Sequence, residues 1–264
     1  MNLDFELMNS AETTRILLAL LLGVVAAGAN LLGGLLIARR QWSRHYLKYF
    51  IALGAGFMLA TAMVEMIPES VKLRGDASSL FFNSTSAVFM IVLAGYFLVH
   101  FFEHTLAPHF HFGEETHHKE ISHAHASYAA LLGLVIHTFF DGVAIASGLL
   151  VSNWLGGVIF VAVFLHKIPE GFTVASLMLA SGQSRRAAFG SSAILGGATL
   201  AGMALMFVLR SAVADALPFS AGVTLYVAAS DLIPEVNREP GVGMAVLVFL
   251  GVAILVALKA IFHV

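Results

Sequence analysis

The sequence predicts an all-α polytopic membrane protein with eight transmembrane helices, and both its composition and the length of its apolar stretches support that prediction. Of the 264 residues, 59% are hydrophobic and 11% are charged, and the mean hydropathy is +0.88, values far from those of soluble domains. The apolar residues form eight stretches, each long enough for the about 20 residues that a helix needs to cross a bilayer. The net charge of −2 gives no indication of a nucleic acid partner, and the absence of cysteine excludes disulfides and thiolate metal ligands.

The predicted spans are joined by short connections, except for the longer ones after the second and third spans. The first span is interpreted as a retained helix and not a cleaved signal peptide, because Asp4 and Glu6 precede it in place of a basic start. We therefore predict a single transmembrane domain over residues 1–264. The spans cover residues 12–38, 46–68, 85–107, 127–150, 154–180, 187–210, 217–236 and 241–262.

The distribution of basic residues predicts that both termini lie outside the cytoplasm. If the loop after the first span is cytoplasmic, the cytoplasmic side carries eight Lys and Arg residues and the other side carries five. The Arg-Arg pairs at 39–40 and 185–186 both fall on the cytoplasmic side in this arrangement.

The second and seventh spans contain an internal repeat. Residues 53–69 align with residues 219–235 without a gap, and both segments end in Ile-Pro-Glu. The predicted orientation makes the repeat inverted, an arrangement typical of transporters that bind substrate near the bilayer midplane. The aligned acidic pairs are Glu65 with Asp231 and Glu69 with Glu235, the first member of each lying toward the outside.

Histidines are concentrated in and before the third cytoplasmic loop. Eight of the twelve fall between residues 100 and 125, and such tracts are typical of metal binding. His100, Glu103 and His104 end the third span, where an ion leaving toward the cytoplasm would pass. In the His-rich cytoplasmic loop, residues 108–126, the alternatives are low-affinity metal capture as a reservoir or sensor, or a solvated linker. The loop histidines are His109, His111, His117, His118, His123 and His125.

Two similar runs in the fourth and fifth spans each place a histidine four residues before a carboxylate. His137 precedes Asp141, and His166 precedes Glu170, so each pair lies on one helix face. At about 1.5 Å per residue both histidines lie near the middle of the bilayer. An isolated charge there costs about 3 to more than 10 kcal/mol, so we expect these groups to have partners. A lone histidine at this depth is more simply a polar helix contact, but two imidazoles and two carboxylates can surround one ion of the Zn²⁺ type.

These runs, His-x-x-x-Asp-Gly and His-Lys-x-Pro-Glu-Gly, resemble the ZIP (Zrt-, Irt-like) family of divalent metal transporters, in its short bacterial and archaeal form. The similarity extends over nearly the whole chain and includes the His-rich loop. It implies a 3+2+3 bundle in which spans one to three mirror spans six to eight. It also implies a homodimer in the cell membrane that imports Zn²⁺, or alternatively Cd²⁺, Fe²⁺, Mn²⁺ or Co²⁺, without enzymatic activity or a catalytic cofactor.

By the same resemblance His137, Asp141, His166 and Glu170 form the primary metal site. Members with a second, adjacent metal ion carry other residues at the positions of Thr138 and Lys167. Because a protonated lysine cannot bind a metal ion and its ammonium could fill the second position, we expect a single ion. The remaining predicted pathway residues are Glu65, Glu69, His100, Glu103, His104, Asp231 and Glu235.

Two other classes of function remain as alternatives. An intramembrane zinc-dependent hydrolase would also bury histidines and acids, but it needs an open coordination position for water, and the chain contains no His-Glu-x-x-His run. A metal-gated receptor without transport is the other alternative. Only a transporter would move ions across a membrane without cleaving a substrate.

Overall fold

The structure is a computed structural model that describes residues 2–38, 44–75, 84–106, 124–239 and 241–262, with side chains from residue 13 onward except those of residues 38, 44–46, 84, 106 and 124–126. Within these residues it is helical, and eight stretches are long and apolar enough to cross a membrane, which confirms the predicted fold class. The helices are α1 (Asn2–Ala38), α2 (Arg44–Ala60), α3 (Ile67–Arg74), α4 (Ser84–Leu106), α5 (Ala124–Val151), α6 (Asn153–Ala180), α7 (Arg185–Val208), α8 (Val213–Tyr226), α9 (Ile233–Asn237) and α10 (Val242–Phe262).

Two of the spans are interrupted by a π-helical segment. The first segment, Thr61–Met66, joins α2 to α3, and the second, Val227–Leu232, joins α8 to α9. The two segments occupy the same positions of the aligned repeat, and each is followed by Ile-Pro-Glu. Proline has no N–H to continue the α-helical ladder, and the wider π turn supplies an alternative bond, from Ile67 N to Ala62 O in the first segment.

The second span is longer than the sequence predicts. It continues past Pro68 to Arg74, because proline is tolerated in the first turn of the new helix α3. The seventh span begins at Arg210 and not at residue 217, with a short 3₁₀ turn leading into α8.

Short connections fix α5, α6 and α7 as neighbours. Only Ser152 separates α5 from α6, and its hydroxyl caps α6 by accepting from Leu155 N at 3.1 Å. Ser184 caps α7 in the same way by accepting from Ala187 N at 3.2 Å. Gly182, with a φ of +81°, makes the turn between α6 and α7.

Pairs of glycines bring the helices into backbone contact. A Cβ on Gly142 of α5 would meet the carbonyl of Thr199 on α7, and a Cβ on Gly202 of α7 would meet the carbonyl of Phe139 on α5. Reciprocal contacts of the same kind join three further helix pairs. They are α1 with α6 through Gly33 and Gly171, α2 with α10 through Gly56 and Gly251, and α4 with α8 through Gly95 and Gly222. The helices therefore form two tightly packed groups.

The first group contains α1, α5, α6 and α7, and it includes both helices that carry the His-x-x-x-acid runs. The second group contains the two interrupted spans together with α4 and α10. In this single chain α10 exposes large apolar side chains such as Val242, Phe249 and Ile261, as a helix facing lipid would. Buried apolar residues of both groups share the main core, so the His-x-x-x-acid runs lie in the interior of the bundle.

Candidate metal centre

The structure brings the four predicted metal ligands together. His137 and Asp141 extend from α5, His166 and Glu170 extend from α6, and one ligand atom of each lies within 4.8 Å of the other three. His137 Nε2 is 3.4 Å from Glu170 Oε1, and His166 Nε2 is 3.3 Å from Asp141 Oδ2. All four side chains are at most 1% exposed, so any ion held between them would be shielded from solvent.

The spacing of each run explains the convergence. Four residues make about one helical turn, so the histidine and the carboxylate of each run project from the same face. His137 Nε2 is therefore only 4.0 Å from Asp141 Oδ2 on the next turn of α5. Glycine contacts then hold the runs against neighbouring helices, with Gly142 against Thr199 and Gly171 against Asn30.

Contacts outside the cluster orient the His166 ring. Its Nδ1 lies 3.1 Å from the carbonyl of Ala162, one turn earlier on α6. This bond requires a proton on Nδ1 and orients Nε2 toward Asp141, and in metal-binding histidines the nitrogen opposite such a bond is the one that holds the ion. Asp141 Oδ1 is also buried and has no hydrogen-bond partner among the described residues, so an acceptor atom stays available there.

Lys167 occupies the centre of this arrangement. Its Nζ lies 2.6 Å from Asp141 Oδ2 and 2.6 Å from Glu170 Oε2, and the side chain is fully buried. Thr138 completes the group, with its hydroxyl 3.3 Å from Lys167 Nζ and donating to Glu170 Oε1. The sequence analysis predicts that the Lys167 ammonium fills the position of a second metal ion. The structure places its ammonium between both carboxylates of the predicted primary site.

Glu65 lies at one end of the bundle in the first π-helical segment and is 8% exposed. Its Oε1 accepts from Lys259 Nζ on α10 at 2.8 Å, and its Oε2 accepts from Trp154 Nε1 on α6 at 3.4 Å. Glu69, one turn further along the chain, pairs at 2.9 Å with the exposed Lys72. The two predicted entrance acids are thus close in the chain but have different cationic partners.

The repeat-related acids lie at the other end of the bundle. Asp231 is 2% exposed, and its Oδ2 has no hydrogen-bond partner among the described residues. Glu103 on α4 accepts from the Tyr226 hydroxyl at 2.9 Å, which ties α4 to α8 beside Asp231. Glu235 pairs with Arg238 at 3.2 Å on the same short helical stretch.

Of the eight histidines between residues 100 and 125, only two have described side chains. His100 and His104 stack at the end of α4 with ring centroids 4.1 Å apart, and His104 is exposed. The loop residues His109, His111, His117, His118 and His123 lie outside the described residues, as does the side chain of His125.

Sequence reasoning missed three residues that contact predicted pathway residues of other helices. Trp154 and Lys259 bind Glu65, and Tyr226 binds Glu103. Lys259 could have been noticed as the only charged residue of α10, an otherwise apolar helix, because a charge in such a helix needs a partner. Nothing in the sequence indicates that the partner is Glu65.

The chain is similar to known metal transporters. A family model described as ZIP Zinc transporter matches residues 13–129 and 113–259. Zinc transporter ZIP9 of Micropogonias undulatus is 25% identical over 245 residues, which cover 75% of this chain and 78% of that protein. Zinc transporter ZIP13 of Pongo abelii is 26% identical over 213 residues, which cover 76% of this chain and 62% of that protein. A ZIP13 homolog of Drosophila melanogaster is 31% identical over 150 residues, or 52% of this chain and 42% of that protein.

Proposed function

The chain belongs to the ZIP zinc transporter family, and from this premise we propose that the four-residue cluster on α5 and α6 is the site through which it carries Zn²⁺. The protein is a multi-pass membrane transporter of zinc and not an enzyme. The observation that carries the site assignment is the convergence of two imidazoles and two carboxylates in the interior of the bundle. The alternative of an intramembrane hydrolase has no support among the relatives.

The separations within the cluster suit a single tetrahedral zinc ion. Zinc binds nitrogen and oxygen at about 2.0 to 2.2 Å, which places neighbouring ligand atoms of a tetrahedron about 3.4 Å apart. The three distances between histidine nitrogens and carboxylate oxygens, 3.3, 3.4 and 4.0 Å, are close to this value. The cargo ion would exchange its water molecules for His137, Asp141, His166 and Glu170 with little movement of the helices.

Lys167 limits the site to one ion. Asp141 and Glu170 contribute two negative charges and Lys167 contributes one positive charge, so the cluster with neutral histidines carries −1 before an ion enters and +1 with Zn²⁺ bound. A second divalent ion would enter a site that is already positive and buried, where charge repulsion is poorly screened. The entering ion must also displace the ammonium from the carboxylates. We therefore expect a stoichiometry of one zinc per chain.

The proposed route passes from the acids at one end of the bundle to those at the other. Zinc arrives past Glu65 and Glu69, binds in the cluster and leaves past Asp231 and Glu235. At the exit Glu103, His100 and His104 line the end of α4, and the loop histidines after it supply low-affinity capture. In this proposal the Glu65 end faces outward, both termini lie outside the cytoplasm, and the ion is imported through the cell membrane.

The arrangement around the route is part of the same proposal. The positions of the two π-helical segments and the pairing of α2 with α10 and of α4 with α8 support a 3+2+3 organisation of residues 1–264 as one transport domain with an inverted repeat. By family resemblance the transporter forms a homodimer. The same nitrogen and oxygen ligands would admit Cd²⁺, Fe²⁺, Mn²⁺ or Co²⁺, and competition among these ions defines selectivity.

Radioactive zinc flux into proteoliposomes tests the site. The double variant His137→Ala with Glu170→Ala removes one ligand from each helix and should abolish flux. Ser191→Ala with Ser220→Ala is the matched control, because it also truncates two buried polar side chains, on α7 and α8, and should transport zinc at the native rate. Zinc flux at the native rate in the ligand variant would refute the assignment.

A further inference from the structure

Glu65 is held by side chains from two other spans. Lys259 of α10 binds one of its carboxylate oxygens at 2.8 Å, and Trp154 of α6 binds the other at 3.4 Å. The indole of Trp154 also packs against the ring of Phe262, with centroids 5.4 Å apart, one turn beyond Lys259 on α10. These four residues, Glu65, Trp154, Lys259 and Phe262, form a contact that we name the Glu65 latch.

The π-helical segment explains why a lysine binds at this point. In an α-helix the N–H of residue 68 would donate to the carbonyl of Val64, but residue 68 is a proline and has no N–H. Lys259 Nζ lies 3.5 Å from this carbonyl as well as 2.8 Å from Glu65 Oε1. A single ammonium therefore lies within hydrogen-bond distance of both the Val64 carbonyl, to which Pro68 cannot donate, and the neighbouring carboxylate.

The latch joins the two groups of helices at the Glu65 end of the bundle. Glu65, Lys259 and Phe262 belong to the second group, whereas Trp154 lies on α6, the helix that also carries His166. Trp154 and His166 are twelve residues apart, about 18 Å along the helix axis. Val158 and Ala162 lie between them on α6, and both are buried in the main core, at 4% and 0% exposure. The latch thus lies at the end of the packed segment of α6 that leads to His166.

The repeat-related position at the opposite end of the bundle has a different environment. Asp231 takes the place of Glu65 in the second π-helical segment, but no described lysine or arginine pairs with it, and its Oδ2 accepts no hydrogen bond. The repeat therefore places a carboxylate with an ammonium partner at one position and, among the described residues, a carboxylate without one at the equivalent position. This difference distinguishes Glu65 as the member of the pair that a charged side chain holds.

We propose that Lys259 is a gating residue, whose ammonium occupies Glu65 in the absence of metal and holds Trp154 over the path to the cluster. An arriving divalent cation carries twice the charge of the ammonium and replaces it on Glu65, which frees Trp154 and the end of α10. The assignment of the Glu65 end as an entrance rests on the proposed function. The closure of that end by Lys259 does not, so the two can be tested separately.

Cysteine labelling measures the closure directly. The chain contains no cysteine, so Ala162→Cys introduces a single thiol between the latch and His166. In metal-free detergent solution a charged methanethiosulfonate reagent should label this thiol slowly. Adding Lys259→Met should raise the labelling rate by about fivefold, the range expected from loss of a partly exposed ion pair. Lys259→Arg keeps the charge and should retain slow labelling.

Two matched variants separate the latch from general loosening. Lys72→Met removes the ion pair with Glu69 at the same end of the bundle, and Lys48→Met removes the pair with Glu239 at the opposite end. Neither should change the labelling rate. Trp154→Phe keeps the aromatic packing but loses the N–H donor, and it should raise labelling even if Lys259→Met folds poorly. Unchanged labelling in both latch variants, or an equal increase in the two control variants, would overturn the proposal.

Tryptophan fluorescence supplies a second readout that also involves the metal. The chain has two tryptophans, so Trp42→Phe leaves Trp154 as the only indole. Zinc should shift the emission of Trp154 toward longer wavelength, because displacement of Lys259 exposes the ring to water. With Lys259→Met the emission should be shifted before zinc is added, and zinc should change it little. A full zinc-dependent shift in that variant would contradict the gating role. Zinc flux at the native rate in the His137 and Glu170 variant would instead refute the site assignment and leave the gating role unaffected.

Discussion

Replacing Lys167 by methionine is the sharpest test of the buried cluster. Methionine keeps most of the side-chain volume but removes the ammonium that lies 2.6 Å from an oxygen of both Asp141 and Glu170. Since Lys167 is fully buried, the two carboxylates lose their cationic partner and gain no water in exchange. Removing one partner of a buried ion pair costs about 3 to 5 kcal/mol.

That cost should appear only in the metal-free protein. For a chain of this size about 1 kcal/mol corresponds to about 2 to 4 °C in the midpoint of thermal denaturation, so the variant should denature about 6 to 20 °C lower. Zinc replaces the missing positive charge, and saturating zinc should therefore raise the midpoint of Lys167→Met more than that of the unsubstituted protein. Thermal scans at one fixed rate, with and without zinc, measure both differences.

The control variant is Lys72→Met, which removes an exposed ammonium paired with Glu69 at 2.9 Å. A surface pair of this kind contributes about 0 to 1 kcal/mol, so its midpoint should hardly change. Calorimetric titration of the unsubstituted protein should give one zinc per chain in the cluster. Equal zinc-dependent shifts in Lys167→Met and in the unsubstituted protein, or two buried ions beside an intact Lys167, would refute the reasoning.

Two further predictions concern the surroundings of the cluster. Thr138→Val keeps the shape of the side chain but removes the hydroxyl that donates to Glu170, and it should weaken zinc affinity about tenfold or more, as measured by the zinc dependence of flux. A tenfold loss that also occurred in Ser191→Ala would contradict a specific role for the hydroxyl. Gly142→Ala places a Cβ against the carbonyl of Thr199 and should lower the denaturation midpoint. Gly190→Ala on α7 meets no atom within 4 Å and should leave it unchanged or slightly higher, and equal effects of the two alanines would argue against backbone contact at Gly142.

The sequence predicts the elements of this protein well because the bilayer imposes a simple rule on them. All eight spans are confirmed, since about 20 apolar residues in a row leave few alternatives to a transmembrane helix. The convergence of His137, Asp141, His166 and Glu170 also follows from spacing, because residues four apart share a helix face and one residue joins α5 to α6. The role of the cluster as a metal site stays a prediction.

The features that escaped prediction depend on contacts between distant parts of the chain. Lys259 and Glu65 are 194 residues apart, and hydropathy does not reveal which polar groups will meet in the folded bundle. The extension of the second span to Arg74 depends on how Pro68 is accommodated. A proline in an apolar run equally predicts a helix end, a kink or a π-helical turn, and tertiary packing decides among them.

The number of residues in each π-helical segment determines which way the side chains after it face. A π turn contains one residue more than an α turn, so each segment accommodates one extra residue and leaves the phase of the helix beyond it nearly unchanged. An additional residue inserted in Thr61–Met66 would have no such turn to absorb it. Everything after the insertion would then be rotated by about 100° relative to α2, and Glu69 would face another neighbour. In an insertion scan this segment and Val227–Leu232 should tolerate substitutions of similar apolar residues far better than the addition of a residue.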